Sequence, residues 1–114
     1  MKVHYIEFVS PDVDMQCRVL AGALGLTFGA PVADLGNARI ASADDGTLVG
    51  VRAPLAEHEA PIVRTYFAVD DIESAIAKAQ RAGATIAYGP TRQGETGTWA
   101  IVLAGEVQVG LWQP

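Results

Sequence analysis

The sequence contains an internal repeat that covers nearly all of its 114 residues. The segment Tyr5–Asp14 is echoed by Tyr66–Glu73, and each is followed by a helical pattern that ends at a glycine. The closing stretches Leu48–Val51 and Gln108–Leu111 also correspond, at a spacing of 60 positions. Such a repeat predicts two copies of one supersecondary unit, because neither copy can bury its apolar face alone. It also predicts a functional site in the space between the two copies.

The first copy predicts the order strand, helix, strand, strand, strand. Residues 3–9 are rich in Val, Ile, Phe and Tyr, which is typical of a strand. Ser10 and Pro11 predict the N-cap and first position of a helix, and Gly25 predicts its end. Spacings of three and four residues give the helix a buried stripe of Val13, Cys17, Leu20 and Leu24. The later strands are predicted at Leu26–Phe28, Asn37–Ala43 and Thr47–Arg52, the last two joined by a turn at residues 44–46.

The second copy follows a linker at residues 54–61, where two prolines interrupt both periodicities. Ile62–Val69 predicts a strand, and Asp70 with Glu73 predicts a capping box at the start of the next helix. The buried stripe of this helix is predicted at Ile72, Ala75, Ile76 and Ala79, and its end at Gly83. Three strands are expected at Thr85–Tyr88, Thr98–Leu103 and Val107–Trp112. The prediction is therefore a single α+β domain, residues 1–114, with module one at 1–53 and module two at 62–114.

Composition excludes several classes of partner. The net charge is -5 and the eight Lys and Arg residues are scattered, so no basic stripe for nucleic acid is present. The acidic balance also disfavours anionic membranes, and no apolar run approaches the roughly 20 residues that cross a bilayer. One cysteine excludes an internal disulfide framework, and no secretory leader is visible at the start. We expect a cytoplasmic protein that contacts neither nucleic acid nor membrane.

Five short pieces, in this order, carry a family resemblance: Tyr-Ile-Glu-Phe before Pro-Asp, Ala-Leu-Gly-Leu-Thr-Phe, Val-Asp-Asp-Ile-Glu-Ser-Ala, Ala-Gly-Ala and Val-Gly-Leu-Trp-Gln. Together with the doubled βαβββ order, they resemble the vicinal oxygen chelate superfamily over essentially the whole chain. That superfamily includes glyoxalase I, bleomycin-resistance proteins, fosfomycin-resistance enzymes and extradiol dioxygenases. The resemblance implies two tandem βαβββ modules that form a curved mixed sheet around a concave pocket.

The resemblance also implies a divalent metal, held by His, Gln or Glu on the first and last strands of each module. Aligned on Asp12 and Asp71, these positions fall on Tyr5, Gly50, Arg64 and Gly110. Arginine cannot bind a cation and glycine has no side chain, so the usual ligands are missing. We expect no metal and no other cofactor. His4 would enter the pocket only if the register slipped by one residue; we expect it to be partly buried at a strand end.

Strand alternation assigns the residues that would line the open sheet face instead. Gly50 and Gly110 lie on the same face and would leave room for a ligand to approach the backbone. Trp99 follows a glycine-rich loop and is either a lid over the pocket or a core aromatic. The predicted substrate-binding residues are Tyr5, Glu7, Leu48, Arg52, Arg64, Tyr66, Trp99, Gln108 and Trp112. The two arginines suit a carboxylate, a phosphate or a flat ring. The alternative is that Arg64 and Glu7 neutralise each other as a structural pair and that the aromatic residues only fill space.

Three hypotheses for the function follow. The first is a metal-independent protein of the bleomycin-resistance type that binds a small planar or anionic organic molecule in an aromatic cup, as a homodimer. The second is an enzyme, a lyase, isomerase or dioxygenase of glyoxalase type, with an atypical metal site. The third is a non-catalytic assembly module. Catalysis stays open at this point, because Glu7 with Tyr5 or Tyr66 is the only acid–base set that the face offers.

Overall fold

The computed structural model describes residues 1–114. Its element order is strand, helix and three strands, given twice, with a short 3-10 helix at Ala33–Leu35. The first copy contains β1 (Val3–Val9), α1 (Val13–Leu24), β2 (Pro31–Val32), β3 (Ala38–Ser42) and β4 (Leu48–Arg52). The second contains β5 (Ile62–Ala68), α2 (Ile72–Arg81), β6 (Thr85–Arg92), β7 (Thr98–Ala104) and β8 (Val107–Gln113). The α+β class and the doubled βαβββ order are confirmed.

The chain divides into two compact units. The N-terminal unit is Tyr5–Val63, and the C-terminal unit is Arg64–Pro114 together with Met1–His4. In the first, neighbouring strands follow the order β2-β3-β4-β1, and in the second β5-β8-β7-β6. Each unit has one parallel pair, β1 with β4 or β5 with β8, and its other pairs are antiparallel. Neither helix is long and apolar enough to span a membrane.

Helix α1 begins later than predicted. Its N-cap is Asp12, whose carboxylate accepts from the Met15 N–H at 3.1 Å, and not Ser10. The short Asp side chain reaches a free N–H of the first turn, which is what stabilises a helix start. Gly25 ends the helix in the left-handed region as predicted. Cys17 is buried against β4, whereas Leu24, predicted in the stripe, is 65% exposed because it lies in the final turn.

The stretch Leu26–Phe28 was predicted as a strand, and that prediction is wrong. These residues have no regular structure, and β2 lies further on, at Pro31–Val32. At the end of this stretch Arg39 donates from Nη2 to the Phe28 carbonyl at 3.5 Å and from Nε to the Gly29 carbonyl at 2.9 Å. These carbonyls accept from a side chain, while the Leu26 and Phe28 side chains pack on the core beneath α1.

Helix α2 carries the predicted apolar stripe. Ile72 and Ile76 are buried in a core with Ala100, Val102 and Leu111, and Ala75 and Ala79 pack against it. The N-cap is Asp71, whose carboxylate accepts from the Ser74 N–H at 3.1 Å; Asp70 was predicted. The Ile72 N–H donates to the Gln113 side chain at 2.8 Å, which satisfies a second free donor of the helix start.

The parallel ladders place the candidate residues on the sheet face opposite each helix. In the N-terminal unit Glu7 lies opposite Gly50, and Val9 lies opposite Arg52. In the C-terminal unit the equivalent partners are Tyr66 with Gly110 and Ala68 with Trp112. Side chains directly opposite each other project from the same face of a sheet. The helix cores use the alternate residues, such as Val49, Val51 and Leu111.

Candidate functional site

Four of the predicted residues share one sheet face of the N-terminal unit. Tyr5 lies opposite Leu48, Glu7 opposite Gly50, and Arg52 ends the same row of β4. Tyr5 and Arg52 are only 2% and 6% exposed, so this face is far less open than the sequence predicts. The alternation argument therefore gives the correct face for these side chains, but it does not reveal how they are covered.

The Tyr5 side chain fills the space above Gly50. A Cβ atom placed on Gly50 would collide with the Tyr5 hydroxyl and lie 2.9 Å from Cδ1 of Ile40. The expectation that this glycine leaves room for a ligand is wrong. The missing side chain makes room for the phenol of the neighbouring strand, which explains why residue 50 must be glycine here.

Arg52 is held by two carboxylates. Its Nε donates to Glu7 at 2.9 Å, and its two terminal nitrogens donate to the Glu59 carboxylate at 2.8 Å each. The paired hydrogen bond to Glu59 is the main reason that the pKa of Arg52 is raised; burial opposes the rise, and the Glu7 charge adds to it. Glu59 also accepts from the Leu55 N–H at 2.7 Å. The linker is thereby fastened to the end of β4.

Glu59 was not among the predicted residues. The sequence placed it in a linker whose pattern suggests solvent exposure, and only its distance of seven residues from Arg52 hints at the pairing. Glu7, the other carboxylate on Arg52, belongs to the predicted set. A guanidinium shared by two carboxylates has little capacity left for an anionic ligand.

The C-terminal unit carries the other lining residues on the face opposite α2. The Arg64 Nε donates to the Gln108 side-chain oxygen at 2.8 Å, and both side chains remain partly or largely accessible. Tyr66 covers Gly110, where an added Cβ would lie 2.6 Å from Cδ1 of the Tyr66 ring. The second glycine therefore also makes room for a tyrosine.

Five aromatic rings form a continuous series in this unit, which we call the aromatic row. The ring centroids are 6.0 Å apart for Tyr88–Trp99, 6.3 Å for Tyr66–Trp99, 5.3 Å for Tyr66–Trp112 and 5.5 Å for His4–Trp112. Tyr66 meets both indoles edge-on, the arrangement that aromatic quadrupoles favour. Burial varies along the row: Tyr66 and Trp112 are each 4% exposed, whereas Tyr88 is 61% exposed.

Both indole N–H groups bind the hairpin turn between β6 and β7. The Trp99 Nε1 donates to the Gln93 side-chain oxygen at 2.7 Å, and the Trp112 Nε1 donates to the Thr96 carbonyl at 2.8 Å. Trp99 lies in β7, opposite Trp112 in the ladder, and is half-buried. Trp99 is therefore a strand residue whose ring is oriented by a hydrogen bond to the turn.

Tyr88 was not predicted as a site residue, and a bulge explains why. The β6–β7 pairing shifts register between Ile86, opposite Val102, and Tyr88, opposite Ile101. Simple alternation puts residues 86 and 88 on one face, but the shift turns Tyr88 to the face of the aromatic row. The sequence gives no clear signal for a bulge at this position.

His4 is half-buried, as expected, and lies against Trp112. Burial lowers its pKa, and the nearby charge of Lys2 acts in the same direction. The neutral imidazole is therefore favoured. No group of three or more His, Cys, Asp and Glu side chains in this structure is arranged to hold a metal ion.

The residues at the four family ligand positions do not fit a divalent metal. Gly50 and Gly110 contribute no donor, and their space is filled by Tyr5 and Tyr66. Arg64 places a cation at a third position, which would repel a metal ion. The chemistry available on these faces is aromatic contact, hydrogen bonding and one accessible cationic side chain.

Comparison with known proteins identifies the fold. No family model matches the chain, and no curated protein matches its sequence. Among solved structures, methylmalonyl-CoA epimerase from Mycobacterium tuberculosis is similar, with a TM-score of 0.75 and 17% identity over 99% of this chain and 87% of that one. The hypothetical protein BH1468 from Bacillus halodurans C-125 has a TM-score of 0.77 and 16% identity, covering 99% and 94% of the two chains.

A third similar structure is a variant of Streptomyces coelicolor methylmalonyl-CoA epimerase in complex with 2-nitronate-propionyl-CoA, with a TM-score of 0.70, 16% identity and coverages of 99% and 96%. Methylmalonyl-CoA epimerases are glyoxalase-like proteins of the vicinal oxygen chelate superfamily. The resemblance predicted from the sequence is therefore confirmed at the level of the fold. Identities of 16% and 17% establish the fold alone.

Proposed function

We propose that this protein binds a small planar or anionic organic molecule, without a bound metal ion, in the manner of bleomycin-resistance-like proteins. The observation that carries the proposal is the combination, on one sheet face, of the Arg64–Gln108 pair with Tyr66, Trp99 and Trp112. Aromatic walls with a few polar groups are the usual composition of a small-molecule site. The arginine would take the anionic group of the ligand and the half-buried Trp99 ring its apolar part, with the buried Tyr66 and Trp112 rings packed behind it.

The N-terminal face has a different part in this proposal. Tyr5, Glu7 and Leu48 contribute shape and polarity, and Arg52 holds Glu7 and the linker in place. Because Arg52 is already shared by two carboxylates, we assign the recognition of an anion to Arg64. The similarity to structures solved with coenzyme A derivatives makes a coenzyme A thioester one candidate among anionic ligands.

Binding is tested by calorimetry and thermal unfolding with organic anions, among them propionyl-CoA and the flat naphthalene-2-carboxylate, in the presence of EDTA. A ligand at a hundredfold excess over its dissociation constant should raise the free energy of unfolding by about 2.7 kcal/mol. Arg64→Met should weaken binding, and the matched variant Arg81→Met, an exposed arginine in the last turn of α2, should not. Absence of binding by every probe would contradict the proposal.

The metal-free state is tested separately. We expect purified, dialysed protein to contain no stoichiometric divalent metal, and added Mn²⁺, Co²⁺ or Zn²⁺ to leave ligand affinity unchanged. Stoichiometric metal that disappears in His4→Ala would instead support the metal-dependent enzyme. We further propose that the protein is cytoplasmic and, as the resemblance implies, a homodimer; sedimentation velocity that returns a monomer at micromolar concentration would refute the dimer.

A further inference from the structure

The exposed end of the aromatic row lies outside the two buried cores beneath the helices. Tyr88 is 61% exposed on β6, the last strand of the C-terminal order, and its ring makes a tilted contact with Trp99 at 52°. A large aromatic side chain left in water keeps apolar area that a ligand could bury. The β6 bulge directs this side chain to the same face as Tyr66 and the Arg64–Gln108 pair.

Trp99 beside it is held in a fixed orientation. Its indole N–H donates to the Gln93 side chain. The ring also contacts Tyr66 in a T-shaped arrangement and Tyr88 in a tilted one. A ring that is already oriented loses little conformational freedom when a ligand stacks on it. Trp99 is half-buried, so part of its surface is still accessible.

We propose that Tyr88 and Trp99 form a stacking subsite for a flat aromatic ring of the ligand, whose anionic group is directed towards Arg64 and Gln108. The ligand class is therefore an aromatic carboxylate or a similar flat anion. This inference rests on the proposed function and adds to it the part of the ligand that each group recognises. Gln93 is a positioning residue in this arrangement, because it acts through the Trp99 ring.

The test uses three probes of similar size: naphthalene-2-carboxylate, which is flat and anionic; decahydronaphthalene-2-carboxylate, which is anionic and not flat; and 2-naphthalenemethanol, which is flat and neutral. Wild-type protein should bind the first most tightly. Tyr88→Ala should weaken that binding about tenfold, the order expected for loss of one stacking partner, and Tyr88→Phe should retain it. The saturated anion should bind weakly and equally to wild type and Tyr88→Ala.

Ile86→Ala is the matched control, because Ile86 is also an exposed apolar residue of β6 but pairs with Val102 of the α2 core face. It should bind the flat anion as wild type does. Proton–nitrogen correlation spectra show one indole signal for each of the two tryptophans. The Trp99 signal, assigned with Trp99→Phe, should shift on addition of the flat probes and stay in place with the saturated one.

Three results would overturn the inference. If the flat anion binds wild type but Tyr88→Ala binds it equally well, the subsite is wrong while the proposed function stands. If no probe binds wild type, the proposed function fails together with the subsite. If Tyr88→Ala converts a dimer to a monomer in sedimentation velocity, the residue serves a contact with a second copy and is not a ligand site.

Discussion

The phenol of Tyr5 occupies the space that a side chain on Gly50 would need. The two residues are on neighbouring parallel strands, and the tyrosine is 2% exposed. The C-terminal unit repeats the relationship with Tyr66 and Gly110, although there the tyrosine is directly opposite its glycine. In both copies a ring and a glycine thus share a volume in which the superfamily places a side-chain ligand for a metal.

Gly50→Ala should destabilise the protein by about 1–3 kcal/mol, because an added methyl group must displace the Tyr5 hydroxyl and the Ile40 side chain. Equilibrium urea unfolding measures the change. Gly22→Ala is the control: nothing lies within 4 Å of its added Cβ, and it lies in α1. Since alanine favours helix over glycine, this second variant should gain roughly 0.5–1 kcal/mol.

The cost of Gly50→Ala should depend on Tyr5. In a Tyr5→Leu background the phenol is absent, so the added methyl group has room and its cost should fall. Residues in direct contact commonly show interaction energies of about 0.5–3 kcal/mol in a double-mutant cycle. Additive free energies in this cycle would mean that the strain of Gly50→Ala arises elsewhere, for example at Ile40.

Arg52→Met should be the most destabilising of these substitutions. The arginine side chain is 8% exposed, and the Glu7 and Glu59 side chains that it pairs with are 12% and 23% exposed. Removing one partner of a buried ion pair costs about 3–5 kcal/mol, because the remaining charges lose their compensation. Arg18→Met, at an exposed arginine of α1, should change the unfolding free energy by less than about 0.5 kcal/mol.

Asp71→Ala should remove the N-cap of α2 and lower the unfolding free energy by about 1 kcal/mol. Asp70→Ala removes an equal charge one residue earlier, where no capping hydrogen bond is made, and should have a smaller effect. Urea unfolding of the two variants at the same ionic strength makes the comparison. Equal losses would show that helix-start charge, and not the hydrogen bond to Ser74, is what stabilises the helix.

His4 should make stability depend on pH. Burial, and after it the Lys2 charge, lower its pKa below 6.5 in the folded protein. Below about pH 6.5 the unfolded chain therefore takes up a proton that the folded one does not, so the unfolding free energy falls as pH decreases. Above that pH His4 is neutral in both states, so it no longer lowers the unfolding free energy. His4→Gln should reduce this slope between about pH 7.5 and about pH 5.5.

His58→Gln is the control for the pH experiment, since His58 is exposed in the linker. Its slope should equal that of wild type. Urea unfolding at several pH values in one buffer mixture provides both slopes. A wild-type slope in His4→Gln would mean that other groups cause the pH dependence.

The sequence predicts the scaffold well, because the repeat and the helix periodicities depend on local patterns. The α2 stripe of Ile72, Ala75, Ile76 and Ala79 is an example: its spacing alone places it against the sheet. The helix starts were missed by one or two residues. Several polar residues in each case compete for the cap, and the sequence does not tell which backbone N–H a side chain reaches.

Long-range partners were not predictable in the same way. Leu26–Phe28 has the composition of a strand, yet it forms none, and the Phe28 carbonyl accepts from the Arg39 side chain. Glu59 is an ordinary linker residue until the chain folds and brings it to Arg52. Alternation gave the correct sheet face for Tyr5, Arg52, Tyr66 and Trp112, but it could not have placed Tyr88, where a bulge adds one residue to the strand.

The first four residues of the chain belong to the compact unit that the last fifty-one residues form. The Lys2 carbonyl accepts from the Ala68 N–H at 2.8 Å, and the His4 ring ends the aromatic row at Trp112. If the chain were cut at the linker, the C-terminal fragment would lose the Lys2 carbonyl as a partner for Ala68. The N-terminal fragment would keep residues 1–4 without the unit to which they belong. Although the sequence contains two copies of one motif, the second compact unit is completed by the residues that begin the first copy.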